Sequence, residues 1–298
     1  MKSFFNNCIY KLIYTIFYTF GLIPFKIRNK ISYFIGMLWY YVDKRHRNVA
    51  IDNISKAYGE SLSQKEKLKL AKSVFVELPK LIFETGWSLR LDKNSLKKHI
   101  KIEGQENIDE AFKRGKGVII LTGHLGSWEL LTVVPGIVGN KFHDIYRPMD
   151  FPPLRRFFHL FRTRFGMGLI PKKKAMREII RALSRGEGVG IPLDQSCNTS
   201  AGVFVNFFGH QTCTNKAIAR IAMQTSAAVV PIFLVREDNG YKVVIDKIVD
   251  TIHTGDRDSD VKRNTENYNG IIEKFIREYP NQWFWVHNRW KTKNPDSN

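Results

Sequence analysis

Two long apolar runs open the chain. The first, from Phe4 to Phe25, carries one charge, Lys11, among aromatic and aliphatic residues, and is diluted by Asn6, Asn7, Thr15 and Thr19. About 20 residues of helix are enough to cross a hydrocarbon core. The run therefore predicts a hydrophobic anchor helix, either spanning the membrane or lying on it. A secretory signal fits less well, because no small-residue cleavage site follows. The second run, Ile31 to Val42, is too short to span, and its Tyr33, Trp39, Tyr40 and Tyr41 suit the membrane interface. Over 63–91 the positions Leu68, Ala71, Phe75, Leu78, Ile82 and Thr85 recur every three or four residues, which predicts helix. Pro79 must break or kink it.

From about residue 99 the period changes. Short runs rich in β-branched residues appear at Gly117–Leu121, Val189–Ile191, Val229–Val235 and Tyr241–Ile245. Helical patterns lie between and after them, near 127–139, 151–165, 174–186, 214–226 and 258–279. Strands alternating with helices predict an α/β fold with a central mixed sheet flanked by helices. The organisation that follows is an anchor or interfacial segment at 1–42, a helical cap at 43–98 and an α/β body at 99–298.

Charge adds the next constraint. The 298 residues hold 47 Lys+Arg against 28 Asp+Glu, a formal net charge of +19, and 43% hydrophobic content excludes a disordered chain. Such a surplus implies anionic partners. Lys26, Arg28 and Lys30 follow the first apolar run, and Lys44, Arg45 and Arg47 the second. Basic residues beside apolar segments mark the cytoplasmic side and attract anionic headgroups. A later basic stretch runs through Arg155, Arg156, Arg162, Arg164, Lys172, Lys173 and Lys174. No nucleic-acid-binding motif accompanies the charge, so nucleic acid is not an expected partner. Cys8, Cys197 and Cys213 form no CxxC pair, which argues against a disulfide framework or a zinc site.

The chemistry concentrates in Gly117-Val-Ile-Ile-Leu-Thr-Gly-His-Leu-Gly-Ser-Trp-Glu129. A buried strand ends in Gly123-His124, where open α/β sheets place their sites. His124 and Glu129 would diverge on one continuous helix but can meet across a strand–turn–helix. A carboxylate on one imidazole nitrogen makes the other a better base. Free N–H groups at Gly126–Ser127 could serve an anion, and Ser127 reads as a helix cap rather than a nucleophile. Arg147 and Arg162 are fixed planar cations suited to phosphate or a developing oxyanion. Asp194 closes a strand on the same side as His124. Cys213 lacks a visible activating partner.

These residues resemble a known family. His-x4-Glu after an apolar strand is similar to the His-x4-Asp/Glu motif of glycerolipid acyltransferases. Gly-His-Leu-Gly-Ser-Trp-Glu resembles the lipid A late acyltransferase (lauroyl/myristoyl) branch of the lysophospholipid acyltransferase superfamily. Tyr146-Arg-Pro148, Arg162 and Arg164, Val189 to Gln195, Gly202-Val-Phe-Val-Asn-Phe-Phe-Gly209 with Thr214, and Pro280 to Lys291 extend the likeness over nearly the whole chain. The resemblance implies a glycerolipid-acyltransferase-like fold. It also implies transfer of an acyl chain from acyl-acyl carrier protein to a hydroxyl of a Kdo-bearing lipid A precursor at the inner membrane, without metal or cofactor. In that scheme His124 is the general base, paired with Glu129. Arg162 faces the oxyanion, with Asp194 as its orienter, and Arg147 and Arg164 contribute to substrate binding. Phe204, Phe207 and Phe208 are candidates for an acyl slot, while Trp283, Trp285, Trp290, Arg289 and Lys291 are expected to pack against the sheet. Another acceptor lipid (an aminolipid, ornithine lipid or glycolipid) stays open, since the motifs barely distinguish acceptors.

Overall fold

The computed structural model describes residues 2–173, 175–238 and 240–295; Lys174, from the basic stretch, lies outside them. The strands are β1 (Ile100–Glu103), β2 (Val118–Thr122), β3 (Phe142–Tyr146), β4 (Gly168–Pro171), β5 (Gly188–Pro192), β6 (Gly202–Phe207), β7 (His210–Asn215), β8 (Ala228–Glu237) and β9 (Gly240–Ile245). Seven form one sheet in the order β1-β9-β8-β2-β5-β3-β4. All neighbours in it are parallel except β8 and β9, an antiparallel hairpin. The sheet is therefore mixed, as the pattern predicts. The strands β1, β3 and β4 are additional to the predicted set.

β2 lies in the middle, and every one of its residues is buried. Ile119 and Leu121 face one layer and Val118 and Ile120 the other. β8 repeats this, with Val229, Phe233 and Val235 on the first face and Val230, Ile232 and Leu234 on the second. Helices cover both faces, which is why these strands read as continuous apolar runs rather than alternating ones. The helices Ala175–Ser184, Ala217–Thr225 and Arg257–Glu278 fall within the predicted helical stretches to within a residue. Ser63 and Glu66 form a capping box that starts Gln64–Glu77, and the chain breaks at Pro79 before Lys80–Ser88. The predicted helix at 127–139 is instead a 3-10 turn, Trp128–Val133, leading into a short α-helix, Val134–Val138.

β6 and β7 make a separate antiparallel hairpin. Its tip, Phe208-Gly209, has positive φ at both residues (52° and 74°). That geometry suits the twist of a two-residue hairpin but is unfavourable for Phe. The Phe208 amide donating to Glu273 (2.6 Å) and Arg277 over the Phe208 ring (4.6 Å) hold it there.

The apolar N-terminus forms two helices, Lys2–Phe20 and Phe25–Val42. No single helix among the described residues is long and apolar enough to cross a membrane. The stretches Phe4–Phe20 and Phe25–Val42 together are, by length and composition, but they are bent by 111°. One side of each helix is seated on the body. Phe17 packs tilted against Phe157 with ring centroids 4.4 Å apart, and Tyr40 meets Phe75 at 5.5 Å. The other side leaves Phe4, Phe5, Leu12, Phe34, Leu38 and Val42 exposed. Arg28, expected in a surface collar, is buried. It donates to the Tyr241 hydroxyl (3.1 Å) and sits over the Phe25 and Trp87 rings.

Gly21 and Gly86 bring the first helix against Lys80–Ser88 backbone to backbone. A methyl group on Gly86 would lie 2.0 Å from the Phe17 carbonyl oxygen. Gly86→Ala is expected to lower stability by about 1–3 kcal/mol, read as a fall in the thermal midpoint of detergent-solubilised protein. Gly270, inside Arg257–Glu278 with no atom near its missing Cβ, is the control. Gly270→Ala should raise stability by about 0.5–1 kcal/mol.

Candidate active site

The C-terminal ends of β2, β3 and β5 open on one cavity of about 310 Å³. His124, Glu129, Asp144, Arg147 and Arg162 line its polar side. Ile120, Leu131, Val134, Phe142, Met167 and Ile232 give it an apolar wall.

His124 sits on the turn that follows β2, and Asp194 fixes it there. The His124 amide donates to Asp194 Oδ2 (2.7 Å), and His124 Nδ1 lies 2.9 Å from Asp194 Oδ1. Trp283 Nε1 donates to Oδ2 as well (2.9 Å). Burial works against a charge on Asp194, but His124 and these hydrogen bonds hold its carboxyl at about 2. An ionised Asp194 can only accept, so Nδ1 carries the hydrogen and, in the neutral imidazole, Nε2 keeps its lone pair. Among the described residues Nε2 has only a long contact, 3.4 Å, with the Gln195 amide. Burial also opposes protonation of the imidazole, yet Asp194, with Glu129 and Asp144 behind it, raises His124 above its ordinary value.

This corrects two expected pairings. Glu129 is not the hydrogen-bonding partner of His124, and Asp194 does not orient Arg162. Glu129 instead accepts a bidentate ion pair from Arg162, with Nε 3.2 Å from Oε2 and Nη2 2.9 Å from Oε1. The reason is local. After His124 the chain turns tightly, with Gly126 at φ +65°, and enters the 3-10 turn that starts at Trp128. Glu129 leaves that turn toward the helix Pro152–Thr163, which carries Arg162.

The N–H groups expected for an anion are already committed. Gly126 donates to the Gln282 carbonyl (2.9 Å) and Ser127 to the Leu234 carbonyl (2.8 Å). Ser127 does not cap its helix. Its hydroxyl donates to the buried Glu84 carboxylate (2.6 Å), which also takes two hydrogen bonds from Arg236. The C-terminal segment completes the support, with Phe284 donating to the His124 carbonyl (3.0 Å) and Leu125 bridging to Trp283. Trp283, Trp285 and Arg289 are buried, as expected of packing residues.

Other expected site residues lie elsewhere. Arg164 turns away from the cavity and donates to the carbonyls of Leu89 and Leu91. Phe207 and Phe208 are buried in an aromatic cluster with Trp283, Trp285 and Trp290. Phe204 is half-buried on β6 opposite Cys213. None of the three lines the cavity, because the hairpin packs its aromatic side against the C-terminal segment. Cys213 is buried 3.6 Å from Cys197, whose thiol burial and Cys213 push up to about 12, the wrong direction for a nucleophile. In the basic stretch, Arg155 donates to the carbonyls of Met149 and Asp150, and Arg156 to Asn7. Among the described residues no cluster of three or more His, Cys, Asp or Glu could hold a metal ion.

Asp144 is a site residue that sequence reasoning missed. It lines the cavity with its carboxylate 3.8 Å from Arg162 Nη1. Burial pushes its carboxyl up to about 6, with Arg162 working against the rise and Glu129 adding to it. Its signal was slight: an acid two residues before Tyr146-Arg147, on a strand too polar to be noticed.

Residues 5–292 match the model of the bacterial lipid A biosynthesis acyltransferase family. The lipid A biosynthesis palmitoleoyltransferase of Escherichia coli K12 is 26% identical over 84% of this chain and 80% of its own. The lauroyltransferase of the same organism is 24% identical over 91% and 87%. A lipid A biosynthesis acyltransferase of Haemophilus influenzae is 27% identical over 92% and 87%. Among solved structures, the 1-acyl-sn-glycerophosphate acyltransferase of Thermotoga maritima aligns with a TM-score of 0.39 at 14% identity, over 87% of this chain and 98% of its own.

The His124–Asp194 pair sets a measurable expectation. In NMR titration of the solubilised protein, His124 should titrate above the ordinary imidazole value of 6.5. Asp194→Asn should bring that titration down, because the imidazolium loses its nearest negative charge while burial continues to disfavour it. A His124 titration unmoved by the substitution would contradict the assignment.

Proposed function

Starting from its membership of the bacterial lipid A biosynthesis acyltransferase family, we propose that this chain moves a fatty acyl group from acyl-acyl carrier protein to a hydroxyl of a Kdo-bearing lipid A precursor, with His124 as general base. Acyl transfer to a lipid A precursor is the activity of the family, and the chain is an O-acyltransferase. The donor, the Kdo-bearing acceptor and the residue roles are our reading of the site.

One observation carries that reading. A histidine held through Nδ1 by a buried carboxylate leaves Nε2 with a long 3.4 Å contact to Gln195, beside a cavity that is apolar on one wall and lined by Arg147, Arg162, Glu129 and Asp144 on the other. In the reaction, Nε2 takes the proton from the acceptor hydroxyl as its oxygen attacks the thioester carbonyl. Asp194 steadies the imidazolium that results. The tetrahedral oxyanion faces Arg162, whose Nε–Nη2 edge is already tied to Glu129, so the Nη1 edge is the one that serves it. Collapse breaks the C–S bond, and the imidazolium returns the proton to the departing thiolate. Glu129 thus acts through Arg162 rather than through His124. The apolar wall, in place of the Phe204–Phe208 segment, takes the acyl chain.

The exposed aromatic and aliphatic side of the N-terminal helices lies next to Lys26, Lys30, Lys44 and Arg45. Apolar area beside cations supports seating on an anionic lipid surface, with the catalytic body on the cytoplasmic face of the inner membrane. Arg147 at the cavity suits the phosphates or carboxylates of the acceptor.

Membranes bearing the protein, given defined acyl-acyl carrier proteins and a Kdo-lipid A precursor, should yield a product heavier by one acyl chain in mass spectrometry. His124→Ala should slow this by roughly 10²–10⁴-fold. Wild-type membranes that add no chain, or His124→Ala at the wild-type rate, would overturn the reading. A shift of activity to an aminolipid, ornithine lipid or glycolipid acceptor would keep the chemistry and change the substrate.

Gly190 tests the acyl wall. It lines the cavity on β5, and a Cβ there would meet only the His143 carbonyl oxygen, at an ordinary 3.6 Å. Gly190→Ala should therefore fold and narrow the space. The expected outcome is a preference for shorter acyl donors, read as the ratio of products from a mixture of chain lengths. An unchanged ratio would place the acyl chain elsewhere.

A further inference from the structure

Arg162 crosses the cavity between two carboxylates that come from different elements. Glu129, on the 3-10 turn, holds its Nε–Nη2 edge by hydrogen bonds of 2.9–3.2 Å. Asp144, on β3, faces Nη1 at 3.8 Å, within ion-pair range but too far for a hydrogen bond. The arrangement attracts the guanidinium from its second side without consuming the hydrogens on Nη1. Those hydrogens remain for a ligand oxygen in the cavity.

We propose that Asp144 is a positioning residue: it holds the Nη1 edge of Arg162 across the cavity and adds a further negative charge to the field at His124. The inference rests on the acyl-transfer reading of this site. Glu129 holds only the Nε–Nη2 edge of Arg162, and among the described residues no hydrogen bond holds the Nη1 edge. A second carboxylate on an unrelated strand fixes the plane of the guanidinium relative to the sheet, and so relative to His124 at the end of β2. The opposing carboxylates also limit how strongly the resting site attracts stray anions, because Arg162 is already neutralised.

The charged and titratable groups around these two residues define the field. His124 is faced by Asp194 from the segment after β5, Glu129 from the 3-10 turn, Asp144 from β3 and His287 from the C-terminal segment. Asp144 is faced by Arg162, Glu129 and His124. Each carboxylate favours the imidazolium and so delays, as pH rises, the appearance of the basic form. Removing the charge of Asp144 therefore moves that appearance to lower pH, whereas a purely structural role would leave it in place.

The test is the pH dependence of kcat/KM for wild type, Asp144→Asn and Asp144→Glu in membranes, with His124→Ala as reference. Asp144→Asn should displace the acid limb to lower pH and reduce the plateau kcat roughly three- to tenfold. Asp144→Glu, which keeps the charge, should return the limb toward its wild-type place. A limb that does not move in Asp144→Asn overturns the proposal. A moved limb with an unchanged kcat overturns the positioning of Arg162. NMR titration of His124 in the solubilised proteins reads the same field without turnover. If His124→Ala is as active as wild type, or if no protein transfers acyl chains, the acyl-transfer reading fails, and the titration still decides whether Asp144 acts on His124.

Discussion

A single buried carboxylate organises the site. Asp194 is 2% exposed and sits in a place where an unpaired charge would be prohibitive. The solution is three donors on two oxygens: the His124 amide, the His124 ring and the Trp283 indole. These come from the turn after β2 and from the C-terminal segment, while Asp194 itself follows β5. Satisfying one charge thus draws three distant stretches of chain to one point. Removing any donor would leave part of a buried carboxylate bare, so the geometry around His124 is a consequence of electrostatics as much as of backbone shape.

The cation side of the cavity follows the same logic. Arg162 is mostly buried, and Glu129 and Asp144 compensate it. Below the turn, Arg236 and Glu84 form another buried pair, and Ser127 joins it. Part of the basic charge counted in the sequence is structural in this way. Arg28, Arg164, Arg236 and Arg289 spend their donors on buried hydroxyls, carbonyls or carboxylates. The lysines near the N-terminal helices and the cavity-lining Arg147 are better placed to meet anionic partners than the count of basic residues alone suggests.

The fold was legible wherever a pattern was local. β2, β5, β8 and β9 announce themselves as β-branched runs, Pro79 as a break, and His124 as the end of a buried strand between glycines. β3 escaped because it carries polar residues such as His143 and Asp144, and β4 because it has only four residues at the sheet edge. The site was legible as a set of residues and not as a set of contacts. Spacing said that Glu129 could reach His124. It could not say that the chain would leave the turn as a 3-10 helix and hand Glu129 to Arg162. Nor could it say that the Gly126 and Ser127 amides would be taken by Gln282 and Leu234. The Phe207–Phe208 pair looked like an acyl slot because an apolar slot and an apolar core have the same composition; only packing against Trp283 and Trp285 separates them.

The link between His124 and the segment 282–284 also fixes an order of events. Helices that are complete within the first 42 residues leave the ribosome long before Trp283 and Phe284 do. Until those arrive, Asp194 lacks its indole donor, the His124 carbonyl lacks the Phe284 amide, and Gly126 lacks its acceptor. Contacts this far apart in sequence form late and slowly. The first two helices can therefore form while the catalytic centre does not yet exist, and the site is complete only when the segment carrying Trp283 closes over the turn.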